Sequence, residues 1–260
     1  MTVNPPSRSQ TERADHTRAR ILDAAIREFS ENGLAGARTE QIAEEAGVNK
    51  ALLYYYFKGK EDLYAAALEY VFEGVRTASI ALLEAGASPG ERFLQIVLNS
   101  FDRSYSHPAL QTLIHQEMVR LHQGEEKRMA RMAEKFFRPM WDKVEEVLEK
   151  GIASGELIPA DPSQMRYAAL GANVFYFLSA PLTRLAFGTD PLERGALEFR
   201  RKAVIEYLGQ ALFIDREHGA RVAARVLAAT PMPSPNGIAM SASETAGIDA
   251  SEFKTHEVRH

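Results

Sequence analysis

The sequence predicts an all-α protein of about nine or ten helices, and three observations predict it. Apolar residues return at three- and four-residue steps along most of the chain. Helix-capping signals stand at the starts of several of these periodic runs, as in Ser88-Pro-Gly-Glu91 and Asp161-Pro-Ser-Gln164. No stretch alternates apolar and polar residues as a half-buried strand must. With 260 residues, 45% of them hydrophobic, the chain has enough apolar matter for a substantial core.

Each element has a local cause. Residues 1–15, with Pro5, Pro6 and several serines, are expected as a disordered arm. A first helix runs from about Thr17 to Asn32, where Ile21, Leu22, Ala25, Ile26 and Phe29 share a face and Gly33 supplies a left-handed C-cap. Thr39 caps a second helix that ends at Gly47. Asn49 caps a third that stops near Phe57. A fourth starts near Lys60, with Glu61 and Asp62 at its positive end, and reaches about Glu84. Ser88-Pro-Gly-Glu91 launches a fifth toward Tyr105, and His107-Pro108 opens a sixth. Gly124 separates the sixth from a seventh that runs to about Ser154, with Pro139 inside it as a kink or a break. Asp161-Pro-Ser-Gln164 starts the eighth helix and Asp190-Pro191 the ninth, which reaches Asp215; Ala220 to Ala229 adds a short tenth. From Thr230 the composition turns to Pro, Ser and Gly, so 230–260 is expected to be disordered.

Composition excludes several classes. No apolar run approaches the ~20 residues needed to cross a bilayer, and the polar start lacks the apolar segment of a signal peptide. The absence of cysteine excludes disulfides and thiolate zinc sites, which points to a cytoplasmic protein. A net charge of -4 argues against indiscriminate coating of nucleic acid. Residues 1–62 hold nine Lys/Arg against ten Asp/Glu, so any attraction to phosphate must come from placement. Arg8, Arg13, Arg18 and Arg20 outnumber Glu12 and Asp15, and Lys50, Lys58 and Lys60 cluster around the third helix.

The stretch from Thr39 to Leu63 meets the demands of a helix-turn-helix. Ala43 is small enough for close helix crossing, while Ile42, Ala46, Val48, Leu53 and Phe57 supply a shared core. Gly47 makes the turn, where a side chain would resist positive φ. In a major groove the start of the third helix faces base edges. Lys50, Ala51 and Leu52 are then nearest the bases, with Glu40 and Gln41 at the flank. Lys50 can donate to guanine, and Ala51 or Leu52 can touch a thymine methyl. Thr39, Tyr54, Tyr56 and Lys60 are placed to bond phosphates and set register. Tyr55 is equally able to pack on the first helix. Arg18 and Arg20 suit solvent better than a groove.

This segment resembles the N-terminal domain of the TetR (AcrR-type) family of bacterial transcription factors. The resemblance rests on Thr39, Ile42-Ala43, Ala46-Gly47-Val48, Leu53-Tyr54-Tyr55-Tyr56-Phe57 and Lys60-Glu61-Asp62-Leu63. It implies that Thr39, Tyr54, Tyr56 and Lys60 contact phosphate and that Gln41, Lys50, Ala51 and Leu52 sit where base readers vary. Tyr56 stands where the family often has histidine, and Leu52 is apolar at a commonly polar position. The expected organisation is a DNA-binding domain over 16–62 and a helical ligand-binding and dimerisation domain over 63–229.

One recognition helix reads few base pairs, so a specific reader of double-stranded DNA needs a homodimer on a palindromic operator. The eighth helix offers Tyr167, Gly171, Val174, Leu178, Leu182 and Leu185, with Ala168 and Ala172 beside them. The ninth offers Leu197, Val204, Leu208, Ala211 and Leu212. The resemblance implies that these two helices pair into a four-helix bundle; the alternative is that they fill the monomer's own core. Helices four to eight carry soft and aromatic groups: Phe101, Tyr105, His115, Met118, Met132, Phe136, Met140, Trp141 and Phe177, with Asn173 as a polar exception. Met129, Met132, Phe136 and Met140 fall on one helical face. They form either core or an adaptable pocket for a small apolar or aromatic effector. Asn173 orients that effector or bonds across the dimer seam.

The expected function is a DNA-binding transcriptional regulator, a dimeric repressor released by such an effector. An alternative is a DNA-bound interaction protein of the same fold without a small-molecule site. His107, His115 and His122 lack metal-ligand spacing, so no metal or cofactor is expected. No nucleophile elbow, phosphate loop or paired-carboxylate motif suggests an enzyme.

Overall fold

A computed structural model describes residues 8–85 and 87–234, and the side chains from Glu12 onward. Among these residues the chain forms eleven α-helices and one π turn: α1 (Arg8–Gly36), α2 (Thr39–Glu45), α3 (Lys50–Tyr56), α4 (Lys60–Glu84), α5 (Pro89–Ser106), α6 (Pro108–His122), α7 (Glu126–Met132), a π turn (Ala133–Phe137), α8 (Arg138–Ala153), α9 (Pro162–Phe187), α10 (Arg194–Leu212) and α11 (Arg216–Ala229). The described backbone forms two compact units, residues 8–77 with 109–132, and residues 78–108 with 133–234. None of its helices is long and apolar enough to cross a membrane.

In the first unit, Ile21, Leu22, Ala25 and Phe29 of α1 are buried together with Ile42, Leu53, Phe57 and Leu63. Phe29 meets Tyr64 of α4 edge-to-face at 4.8 Å. Gly33 interrupts α1 with φ 64, as the expected C-cap requires. Gly47 turns the chain between α2 and α3 with φ 63. The Asn49 side chain accepts from the Leu52 amide at 2.7 Å and so caps α3. A buried carboxylate, Glu117 of α6, holds three helices of this unit. It accepts from the Tyr64 hydroxyl at 2.8 Å and from the Arg128 guanidinium of α7 at 3.0 Å. Burial first, then the Glu117 hydrogen bond, pushes the Tyr64 phenol well above its ordinary pKa.

Two expectations fail here. The arm predicted over 1–15 is helical from Arg8, while residues 1–7 lie outside the described ones. No proline or glycine follows Pro6 until Gly33, so nothing stops the helix from propagating backwards. Thr39 does not cap α2; Arg38 holds the cap position and makes no side-chain bond. Thr39 is buried in the first turn, and its hydroxyl goes to Tyr54 instead.

In the second unit, α5, α8, α9, α10 and α11 enclose a core that includes Leu94, Val97, Val144, Leu148, Ala169, Val204, Ile205, Val222 and Ala223. Ser88 and Asp161 cap α5 and α9 as predicted, accepting from the Glu91 and Gln164 amides at 3.3 and 3.0 Å. Arg201 of α10 meets Asp102 of α5 through two bonds of 2.6 and 2.7 Å and also donates to the Thr230 carbonyl at 2.8 Å. Burial raises the Asp102 pKa, and Arg201 offsets only part of that rise. Gly209 and Gly219 bring α10 and α11 into backbone contact, since a Cβ on Gly209 would lie 2.7 Å from the Gly219 carbonyl oxygen.

The expected long seventh helix is divided. The π turn at Ala133–Phe137 precedes Pro139, which takes the first turn of α8. Proline has no N–H to donate and clashes with the carbonyl four residues back, so a wider turn there relieves both demands. Met129, Met132, Phe136 and Met140 therefore do not share one straight α-helical face. The ninth predicted helix starts at Arg194 rather than Pro191, because residues 191–193 form a turn. Pro181 lies inside α9.

Candidate nucleic-acid interface

The exposed edge of the three-helix head, α1 to α3, is built on α3. Leu53 is fully buried and Phe57 almost so, which fixes the inward side of the helix. Lys50, Ala51, Leu52, Tyr54 and Tyr55 then face solvent. Short capped helices hold such side chains in fixed directions, as groove reading requires. Tyr55 is 81% exposed, so it does not pack on α1. It lies about 200° around the helix from Leu53, and that spacing is the signal that should have included it among the candidates.

Tyr56 takes the role that Tyr55 was allowed. It is half-buried, and burial pushes its phenol above the ordinary value while a hydrogen bond with the Thr17 side chain partly offsets this. Its ring stands edge-to-face with Tyr55 at 5.4 Å. Tyr54 meets Thr39 at 3.2 Å between hydroxyls, so these two predicted phosphate contacts stand side by side. Lys60 donates to the carbonyls of Ala35 and Ala37 at 2.9 and 3.2 Å. An ammonium has three N–H bonds, so one remains for a further acceptor.

Electrostatics divide the head's surface. Lys50 pairs with Glu40 across α2 and α3, and that hydrogen bond raises the lysine's pKa and lowers the carboxyl's. Both groups are exposed, so a base edge or phosphate can replace the partner. Gln41 is exposed but borders an open groove lined by Arg27, Glu28, Glu31, Glu44 and Glu45, whose carboxylates repel phosphate. Arg20 is not directed at a groove; it donates to the Ala46 carbonyl and closes the end of α2. Arg18 stacks its guanidinium on Phe57 at 5.4 Å.

The predicted effector residues fall into both units. His115, Met118 and Met132 belong to the first, and Phe101, Tyr105, Phe136, Met140, Trp141, Asn173 and Phe177 to the second. His115 is exposed and lines an open groove with Asn32, Gln116, Val119 and Gln123. Met132 is buried, Met118 half-buried. In the second unit Phe101 meets Phe177 at 5.1 Å and Tyr176 at 6.1 Å. Fully buried Asn173 donates to the Val97 carbonyl at 2.9 Å. Trp141 packs on Phe137 at 5.3 Å, with the Arg166 guanidinium over its ring at 4.6 Å. Phe136 is buried, and Tyr105 and Met140 are half-buried.

The α9 stripe is exposed throughout. Tyr167, Val174, Leu178, Leu182 and Leu185 are each more than half accessible in the single chain. The α10 residues behave differently: Leu197, Val204 and Leu208 are buried in the unit's own core. On that helix Phe199 and Tyr207 are the exposed large side chains instead.

A three-helix head with a capped, outward third helix, followed by a helical unit with a solvent-facing apolar helix, defines a helix-turn-helix regulator with a C-terminal helical domain. The model for bacterial regulatory proteins of the tetR family matches residues 21–67, and that for the tetracyclin repressor-like C-terminal domain matches residues 89–208. The chain belongs to the TetR family, whose members are transcriptional regulators and not enzymes. It is 36% identical over 115 residues to the HTH-type transcriptional repressor NicS of Pseudomonas putida, a match covering 44% of this chain and 53% of that protein. It is 29% identical to the HTH-type transcriptional regulator RutR of Escherichia coli over 168 residues, 65% of this chain and 77% of RutR. The chain thus spans about half of NicS and about three quarters of RutR. Among solved structures, FadR of Bacillus subtilis in complex with stearoyl-CoA shares the fold with a TM-score of 0.56 at 19% identity, covering 73% of this chain and 96% of FadR.

Proposed function

We propose that this protein is a dimeric transcriptional repressor that binds a palindromic operator and is released by a small apolar or aromatic effector. The observation that carries the proposal is the exposed face of α3, where Lys50, Ala51, Leu52, Tyr54 and Tyr55 project from a helix capped by Asn49. A head of this kind reads few base pairs alone, so specificity requires a second copy. The exposed α9 stripe supports pairing through that helix, and Phe199 and Tyr207 of α10 are exposed as well. NicS, by its name, is a repressor. FadR holds stearoyl-CoA, so this fold can accommodate a long apolar ligand.

The switch follows from linkage. An effector that binds better when the heads are misaligned with the grooves lowers operator affinity by the same factor. A coupling of ~1–3 kcal/mol weakens binding roughly five- to 150-fold, enough to turn a gene on. The test is a nuclease footprint of the full chain on promoter DNA flanking its own gene. Two protected half-sites about 34–36 Å apart, or a multiple of that, are expected. Uniform cleavage across that DNA at low salt ends the proposal.

A second reading keeps the DNA-binding head but has no effector, with the C-terminal unit recruiting another protein. The complete burial of Phe101 and Phe136 favours it. Trp141 fluorescence separates the two, since an indole unmoved by a broad panel of apolar compounds supports dry core.

A further inference from the structure

A single buried atom narrows the class of effector. Asn173 is fully buried in α9 beside Ala169 and Ala180, which are also without solvent contact. Its Nδ2 donates to the Val97 carbonyl of α5 at 2.9 Å. That bond fixes the orientation of the amide, because turning it over would set two oxygens against each other. Oδ1 therefore points away from Val97, and it is buried with no donor. The Arg200 guanidinium is near, on the Ala172 carbonyl at 3.4 Å and over the Tyr176 ring at 5.3 Å, but makes no bond to Oδ1. Phe101 and Phe177 have no polar hydrogen, and the Tyr176 hydroxyl is spent on the Pro191 carbonyl at 2.6 Å. A buried acceptor left unmatched destabilises a fold, so folded proteins match nearly all of them.

We propose that Asn173 Oδ1 receives a hydrogen bond from the effector, and that the effector is an apolar or aromatic molecule carrying one hydroxyl or N–H group. Its body lies among Phe101, Tyr176 and Phe177, whose tilted ring contacts part to admit it. This rests on the effector-responsive reading above and names the ligand class for it. Discrimination comes from the unmatched group: a ligand without the donor leaves the acceptor as unsatisfied as before.

The experiment uses the full chain and a panel of apolar phenols and alcohols, each beside its own methyl ether. Binding is read by thermal shift and by Trp141 fluorescence. The donor-bearing member of each pair should bind about tenfold tighter than the ether. Asn173→Leu should erase that preference and raise Tm without any compound, because the Val97 carbonyl keeps its helical partner inside α5. Equal binding of ethers and phenols overturns the proposal, as does failure of every compound to bind. An Asn173→Leu variant with lowered Tm also overturns it, by showing that Oδ1 holds a structural water. Operator binding is measured separately: a chain that prefers donors yet ignores promoter DNA would sink the repressor reading and leave the ligand class standing.

Discussion

Helix α3 shows solvent the rings of Tyr54 and Tyr55, flat surfaces that end in a hydroxyl. Helix α9 shows it Val174, Leu178, Leu182 and Leu185, which offer water nothing. The first set suits a polymer with anionic edges and stacked bases, where a ring supplies contact area and its hydroxyl supplies a bond. The second suits another apolar surface, and a second copy of the same helix is the simplest one that symmetry provides. The difference teaches that exposure alone does not mark function; the chemistry of the exposed atoms tells which kind of partner fits.

The largest effect should come from removing the apolar character of α9. Replacing both Leu178 and Leu182 with lysine should give a monomer by light scattering and cost about a hundredfold or more in operator affinity, since paired heads bind as one bivalent unit. A double variant that stays dimeric and binds normally would abolish the contrast drawn between the two helices. A smaller effect is expected on α3. Lys50→Ala should cost about tenfold at a single base position and little elsewhere, if its ammonium leaves Glu40 for a guanine edge. Binding to a set of operators varied one base at a time would show this, and an even loss across the set would reassign Lys50 to the backbone.

The smallest effect concerns the support beneath the head. Burial raises the pKa of Asp23 on α1 from 3.8 to about 6, partly offset by Arg27, and its Oδ1 is buried without a partner. The folded-state value lies above the unfolded one, so ionisation opposes folding, and stability falls as pH rises from about 4 through about 6. Asp23→Asn should therefore raise Tm at neutral pH, with the gain fading as the pH drops toward 4. A gain that is constant with pH would show that charge is not its cause.

What the sequence made legible was written in short-range terms. Gly33, Gly47, Asn49, Ser88 and Asp161 act on backbone within a few residues, so their roles follow from spacing alone. The exposed residues of α3 were legible for a related reason, because Leu53 and Phe57 fix the inward side of that helix. What escaped depends on partners distant in sequence. Thr39 exchanged a capping role for Tyr54, fifteen positions on. Arg20 turned to the Ala46 carbonyl. Leu197, Val204 and Leu208 read as well for an interface as for a core, and only packing among α5, α10 and α11 assigns them to the core. The π turn before Pro139 follows from a local rule, yet that rule allows a kink, a break or a widened turn and does not choose among them.

The approach of Gly219 to Gly209 sets a practical boundary. The family's C-terminal model ends at residue 208, but α11 lies beyond it and contributes Val222, Ala223 and Val226 to the same core. Trimming the chain at the family limit would strip the cover from Val204 and Ile205 and remove the Thr230 carbonyl that Arg201 holds. Any shortened version made for display, fusion or crystallisation should therefore retain the chain through residue 230, with added segments attached after it.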